Sequence, residues 1–342
     1  MAELYNRDVL DSDFFGPLWP YIKDVQVTDI DYNGRVIWIT SINHPRYFVK
    51  PDRIGMKKIF VEQFSGRIAN CVSKQFNRAN PVLEASTETL RITIIHESVA
   101  KSGRTFCIRK SPPTLRYTRE AAVAEGYCSD EAMDYLIDSV KKKKNFVICG
   151  EPGSGKTEFA KFLSQFIDIS DRVVTIEDTR EWHYGTINPG ADFVELTVGN
   201  VFTYSDALKT CMRLNPGWIM LSEARSTEAK YLIEDWSSGV KGITTIHTDD
   251  VRKIPDRILN MIGDIRDATR LVNSVYEYVD VGILIKKHVD SNGRQYRKIE
   301  QIAYFSRESG CNRTTMIYSS EDGDIKTQFV AEEPYEEICK CL

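Results

Sequence analysis

The residues with the clearest chemical meaning lie in one stretch, Gly150-Glu151-Pro152-Gly153-Ser154-Gly155-Lys156-Thr157. It matches the phosphate-cradling pattern G-x-x-x-x-G-K-[ST] at every fixed position. Gly150, Gly153 and Gly155 let the backbone wrap closely, so successive N–H groups around Ser154 face one anion. Lys156 has the reach to meet the β- and γ-phosphates of a nucleoside triphosphate, and the Thr157 hydroxyl is a ligand for Mg²⁺. A dinucleotide fingerprint fits less well, because Glu158 stands where the third glycine belongs.

Such a loop works only between a strand and a helix, whose positive dipole end adds to the anion site. Asn145-Phe146-Val147-Ile148-Cys149 is an apolar run suited to a buried strand, and Glu158 to Phe166 has the periodicity of an amphipathic helix. Further strands are expected at Val173–Ile176, Trp218–Leu221 and Gly242–Ile246, with helices at Ala207–Arg213, Thr227–Trp236 and Asp256–Met261. This alternation calls for an α/β fold with a parallel sheet, whose strands present functional groups at their carboxyl ends. Those ends carry Glu177 and Asp178, then Glu223 and Arg225, then His247. Glu223 and Glu177 both suit water activation or an indirect Mg²⁺ contact, and His247 suits a sensor of the γ-phosphate. Each also has a plain structural reading, as a helix cap or a satisfied core group.

The bulk composition narrows the classes. The chain has 342 residues, a formal net charge of −4 and eight scattered cysteines. No cysteine pair has C-x-x-C spacing, and Cys339 and Cys341 form only a C-x-C at the end, which argues against a zinc ribbon and for reduced thiols. No run of 18 apolar residues exists, and Met1 to Asp8 lack the layout of a secretory signal, so a cytoplasmic protein is expected. The acidic balance and the lack of a basic stripe interleaved with aromatics argue against nucleic acid as a direct ligand. The run Lys141–Lys144 is expected to be a solvated helix end before the loop's strand.

Upstream, strands are expected at Val25–Ile30 and Arg35–Thr40 around an Asn33-Gly34 turn, a helix between Lys57 and Phe76, and strands at Leu90–Ile95 and Thr105–Arg109. Ser111-Pro112-Pro113 breaks the pattern. The expected organisation is an amino-terminal α/β domain over 1–112, a linker over 113–130 and a motor domain over 131–342. Near the end, Val281–Ile285 and Lys298–Ile302 read as a hairpin through Asp290-Ser291-Asn292-Gly293.

These residues resemble the secretion ATPase superfamily, the motors of type II and type IV secretion, conjugation and pilus assembly. Four boxes carry the resemblance. Gly150–Thr157 is similar to its Walker A box and Val174–Thr179 to its acidic box. Pro216–Arg225 is similar to its Walker B box and Gly242–His247 to its histidine box. Val27–Ile30 followed by Asn33-Gly34, and Gly103–Lys110, resemble parts of its amino-terminal domain. The resemblance implies a P-loop NTPase (RecA-like) motor domain with a smaller α/β amino-terminal domain, assembled as a homohexamer. It implies ATP and Mg²⁺ at the cleft between domains, with Arg109 and Arg91 reaching the phosphates. Glu223 would activate water, Glu177 would support Mg²⁺ or act as the alternative base, and His247 and Arg225 would report the γ-phosphate. Ser222 stands where the family has glycine, Asn215 where it often has arginine, and Asp249-Asp250 where it has small residues. The four-cysteine insert of many type II motors is absent, which points to the type IV secretion, conjugation and tight-adherence pilus branch. The implied role is a cytoplasmic ATPase, peripheral to the cytoplasmic membrane, powering secretion or pilus machinery. The alternatives are a type II secretion or pilus-retraction motor, or a nucleic-acid translocase.

Overall fold

The computed structural model describes residues 2–3, 11–263 and 268–320. Met1, residues 4–8 of the amino-terminal stretch and the pair Cys339 and Cys341 lie outside the described residues. The chain forms two compact units, one of Met1–Pro112 with Val289–Tyr296, the other of Pro113–His288 with Arg297–Leu342.

The first unit holds β1 (Ala2–Glu3), α1 (Ser12–Phe15), α2 (Trp19–Lys23), β2 (Val27–Tyr32), β3 (Ile37–Ser41) and β4 (Tyr47–Val49). α3 (Lys58–Cys71), β5 (Val82–Ser86), β6 (Leu90–Ile95) and β7 (Thr105–Lys110) follow. Its sheet runs β1-β5-β6-β7-β2-β3-β4. Ile30, Ile39, Ile92, Ile94, Phe106 and Ile108 form its core, covered by Val61, Phe64 and Ile68 of α3. β2 and β3 begin two residues later than expected. The Asn33 side chain accepts from the N–H groups of Arg35 and Val36, so the turn is tight and β2 extends to Tyr32. α3 stops short of Phe76 because Ser73 takes a left-handed conformation, φ 52°.

The second unit opens with α4 (Arg119–Ala124), α5 (Asp130–Lys141), β8 (Phe146–Cys149), α6 (Lys156–Ser164), β9 (Val173–Glu177), α7 (Tyr184–Ile187) and β10 (Phe193–Thr197). It continues with α8 (Tyr204–Cys211), β11 (Trp218–Leu221), α9 (Glu228–Ser237), β12 (Lys241–Ile246), α10 (Ile254–Ile262), α11 (Ala268–Tyr278), β13 (Val281–Val289), β14 (Gln295–Glu308) and β15 (Cys311–Ser319). The sheet order is β10-β9-β11-β12-β8-β13-β14-β15. β10, β9, β11, β12, β8 and β13 are parallel, while β14 and β15 are antiparallel to each other.

Helices cover both faces of this sheet, as strand alternation requires. Phe146 and Ile148 of β8 pack with Met133, Leu136, Phe159 and Leu163 on one face. Val147 and Cys149 pack with Leu208, Leu232 and Ile258 on the other. α8 begins three residues before its expected start because Thr203 and Asp206 cap it reciprocally. Residues 113–130, expected as a linker, carry α4, and Ala122 and Tyr127 are buried in the second unit's core. Beyond the end of α5, Lys143 and Lys144 are ion-paired to Asp171 and Asp280. No described helix is long and apolar enough to cross a membrane.

Candidate active site

β9, β11, β12 and β8 run in one direction, so their carboxyl ends share one edge of the sheet. β12 is the immediate neighbour of β8, β11 is one strand further and β9 is one beyond that. At about 4.8 Å per strand, these ends lie roughly 5, 10 and 14 Å from the end of β8. That order ranks His247, Glu223 and Glu177 by their distance from the glycine-rich loop.

The loop has the conformation its glycines permit. Gly150, Gly153 and Gly155 have φ of 146°, 75° and 95°. A Cβ on Gly150 would lie 2.3 Å from the Ile285 carbonyl oxygen, so β13 presses directly on the loop. Ser154 is fully buried, and its hydroxyl has no hydrogen-bond partner. α6 begins at Lys156, directing its N-terminal N–H groups into the loop, with Thr157 half-buried at its second position.

Lys156 is 6% exposed. Its ammonium donates to the carbonyls of Gly150 (2.9 Å) and Glu151 (3.0 Å) and lies 3.2 Å from Nδ1 of His247. Burial pushes its pKa down to about 8, partly opposed by the negative charge of Glu223. Nε2 of the His247 ring lies 2.9 Å from Oε1 of Glu223. Nδ1 also lies 3.0 Å from the Gly150 carbonyl oxygen, so it stands between a group that only donates and one that only accepts. Oε2 of Glu223 accepts from Arg225 at 2.8 Å, and Arg225 reaches Asp178 at 3.4 Å. The chain of contacts Lys156–His247–Glu223–Arg225–Asp178 thus links three strand ends to the loop.

Glu177 is placed differently. Its Oε1 accepts from the N–H groups of Glu181 and Trp182, at 3.0 and 2.9 Å, and holds the segment after β9. It is 3% exposed, and burial pushes its pKa up to about 8 against those two bonds. Arg109 and Arg91 belong to the first unit, on facing positions of β7 and β6. Nε of Arg109 lies 2.9 Å from Oδ1 of Asp29 on β2.

Several residues near the site carried no local sequence signal. The Tyr204 hydroxyl accepts from the N–H of Asp178 and lies 3.1 Å from the Ser222 hydroxyl, tying α8 to the ends of β9 and β11. Ser222, the departure from the family's glycine, therefore has a partner of its own. Arg297 of β14 and the pair Arg116 and Tyr117 also approach α6 and its loop. Nothing short of the strand order brings Arg297 and Gly153, 144 positions apart, together.

The donor set fits a triphosphate: open glycine amides, a buried ammonium held by two backbone carbonyls beside His247, and an unpartnered buried hydroxyl at Ser154. Among the described residues no group of three or more His, Cys, Asp or Glu side chains is placed to hold a metal ion by itself. A Mg²⁺ ion taking one hydroxyl from Thr157 and its other ligands from phosphates and water suits this arrangement.

The sequence model of the "Type II/IV secretion system protein" family matches residues 71–332. An uncharacterized protein of Bacillus anthracis is 28% identical over 285 residues, covering 81% of this chain and 64% of that protein. This chain therefore spans under two thirds of that relative's length. The type IV secretion system protein VirB11 of Brucella suis is 24% identical over 324 residues, covering 84% of this chain and 88% of that protein. Among solved structures, the ATPase DotB of Legionella pneumophila superposes with a TM-score of 0.62 at 15% identity, covering 88% of this chain and 83% of that one. The matched family model covers most of the chain and both flanks of the glycine-rich loop, and the chain belongs to the type II/IV secretion system protein family, within the secretion ATPase superfamily.

Proposed function

We propose that this protein is an ATPase of the type IV secretion branch, built on a P-loop NTPase (RecA-like) motor domain. The observation that carries this reading is the continuous set of contacts from Lys156 through His247 to Glu223 beside an open glycine loop. The loop amides and Lys156 bind the β- and γ-phosphates. Thr157 would help to hold a Mg²⁺ ion, which would supply positive charge against that developing on the phosphates.

Glu223 is the carboxylate that orients and activates the attacking water. Its position one strand beyond His247 supports this role over Glu177, whose carboxyl is already engaged by two backbone N–H groups. When a γ-phosphate takes Lys156 from its loop carbonyls, the ammonium also leaves His247 and so changes what Glu223 touches. Arg225, bonded to Glu223 and Asp178, carries that change to the end of β9. The protein works as a homohexamer at the cytoplasmic face of a membrane-embedded secretion or pilus machine. Family membership supports that setting, and the acidic net charge supports a protein partner over nucleic acid.

The test is phosphate release by Lys156→Ala and Glu223→Gln proteins. Both are expected to lose at least about a hundredfold in kcat, with nucleotide binding kept in Glu223→Gln. Parent-like turnover by either variant would end this assignment. Sedimentation with and without ATP tests the ring.

A further inference from the structure

The sheet order gives the loop two unlike sides. β12 and β11, with His247 and Glu223, lie on one side of β8, and β13 and β14 lie on the other. A triphosphate whose reacting end meets Lys156, His247 and Glu223 directs its nucleoside end toward β13 and β14. Two side chains flank the loop there. Arg297, from β14, brings a guanidinium nitrogen to 3.5 Å from the Gly153 carbonyl oxygen. A Cβ on Gly155 would lie 3.8 Å from Cδ of Arg297 and 3.7 Å from the Tyr117 hydroxyl.

Tyr117 lies at the edge of an aromatic core cluster whose inner rings, Tyr127 and Phe159, are buried. The Tyr117 ring packs 4.8 Å from that of Tyr127, which lies 5.4 Å from Phe159 of α6. A carboxylate is present too, since Arg116 lies 3.5 Å from Glu158. Burial holds the Arg297 pKa below its usual value, and Arg116 adds repulsion. A planar guanidinium among aromatic rings is suited to stacking on a flat ring. The loop amides and Lys156 already answer the phosphate charge.

We propose that Arg297 and Tyr117 form the nucleoside subsite, with the Arg297 guanidinium plane against the base and Tyr117 bounding the sugar. This inference rests on the loop being a triphosphate site. The test compares ADP with inorganic tripolyphosphate, which has the charge but no nucleoside, binding to the full chain by calorimetry.

Arg297→Ala is expected to weaken ADP about tenfold and to leave tripolyphosphate within about twofold. Arg297→Lys, which keeps the charge and loses the plane, is expected to lose ADP affinity in the same sense and to a smaller degree. Equal weakening of both probes in Arg297→Ala would overturn the subsite, since it would mean a charge or folding effect. Unchanged ADP affinity in Arg297→Ala would overturn it too. If Lys156→Ala still abolishes binding of both probes, that failure belongs to the subsite alone. A parent protein that binds neither probe would refute the loop assignment and this inference with it.

Discussion

The Nε2 atom of His247 lies 2.9 Å from Oε1 of Glu223, while Nδ1 of the same ring lies 3.2 Å from the Lys156 ammonium. One imidazole therefore stands between the Lys156 ammonium and the Glu223 carboxylate. Alanine at His247 removes both contacts, together with the approach of Nδ1 to the Gly150 carbonyl oxygen. The expected result is a kcat lower by about ten- to a hundredfold with KM changed less than about threefold, measured by steady-state phosphate release. A raised KM with kcat intact would restrict His247 to ground-state binding.

Lys156 supplies a pH signature. Burial holds its pKa near 8, below its ordinary 10.5, so at pH 8 about half of the molecules carry the ammonium. A bound triphosphate favours the charged form and raises that pKa. Binding at pH 8 is therefore expected to take up about half a proton, and binding at pH 6.5 almost none from this group. Calorimetry in buffers of different ionisation enthalpy reads this directly, and Lys156→Arg should abolish it. The same shift acts on stability. Between about pH 8 and 10.5 the unfolded chain binds more protons at this residue, so its contribution to stability rises with pH.

Glu177 has the opposite sign. Its folded pKa near 8 exceeds the ordinary carboxylate value of 4.5, so the folded state holds the extra proton between those limits. Its contribution to stability is present below that window and is lost as pH rises through it. Glu177→Gln keeps an oxygen for the N–H groups of Glu181 and Trp182 and cannot ionise. Its melting temperature should match the parent near pH 5 and exceed it near pH 8. Glu177→Ala leaves both N–H groups unpaired and should cost about 1–3 kcal/mol at either pH. Parallel melting curves for parent and Glu177→Gln across this range would rule out a buried ionising carboxyl here.

Two loop glycines should respond unequally to alanine. At Gly150 the new Cβ would meet the Ile285 carbonyl oxygen at 2.3 Å, on backbone at φ 146°. At Gly153 nothing lies within 4 Å, and only the left-handed conformation at φ 75° resists. Gly150→Ala is expected to cost more than about 2 kcal/mol, and Gly153→Ala about 1–2 kcal/mol, by chemical denaturation. A smaller loss at Gly150 than at Gly153 would mean that β13 does not press on the loop as described.

Much of the fold was legible where pattern is local. β6 and β11 span the expected residues Leu90–Ile95 and Trp218–Leu221, because their side chains alternate cleanly or are wholly apolar. β10 and β15 gave no comparable pattern. β10 is an edge strand with mixed burial and an exposed Phe193, so no hydrophobic period marks it. β15 is mostly half-buried and pairs only with β14 among the described strands.

The chain by itself marked out the loop, because the pattern from Gly150 to Thr157 is complete within eight consecutive residues and needs only a strand before it and a helix after. It also marked Glu177, Glu223 and His247 as strand-end groups, and left the two carboxylates equal. Tertiary structure sets their surroundings apart. Sheet order sets β12 beside β8 and β11 beside β12, so Glu223 meets the histidine that meets Lys156, while Glu177 lies one strand too far and turns to its own backbone. Hydrophobic spacing records which face of a strand is buried. It carries no record of which strand lies next to which, and the placement of Arg297 beside Gly153 depends wholly on that adjacency.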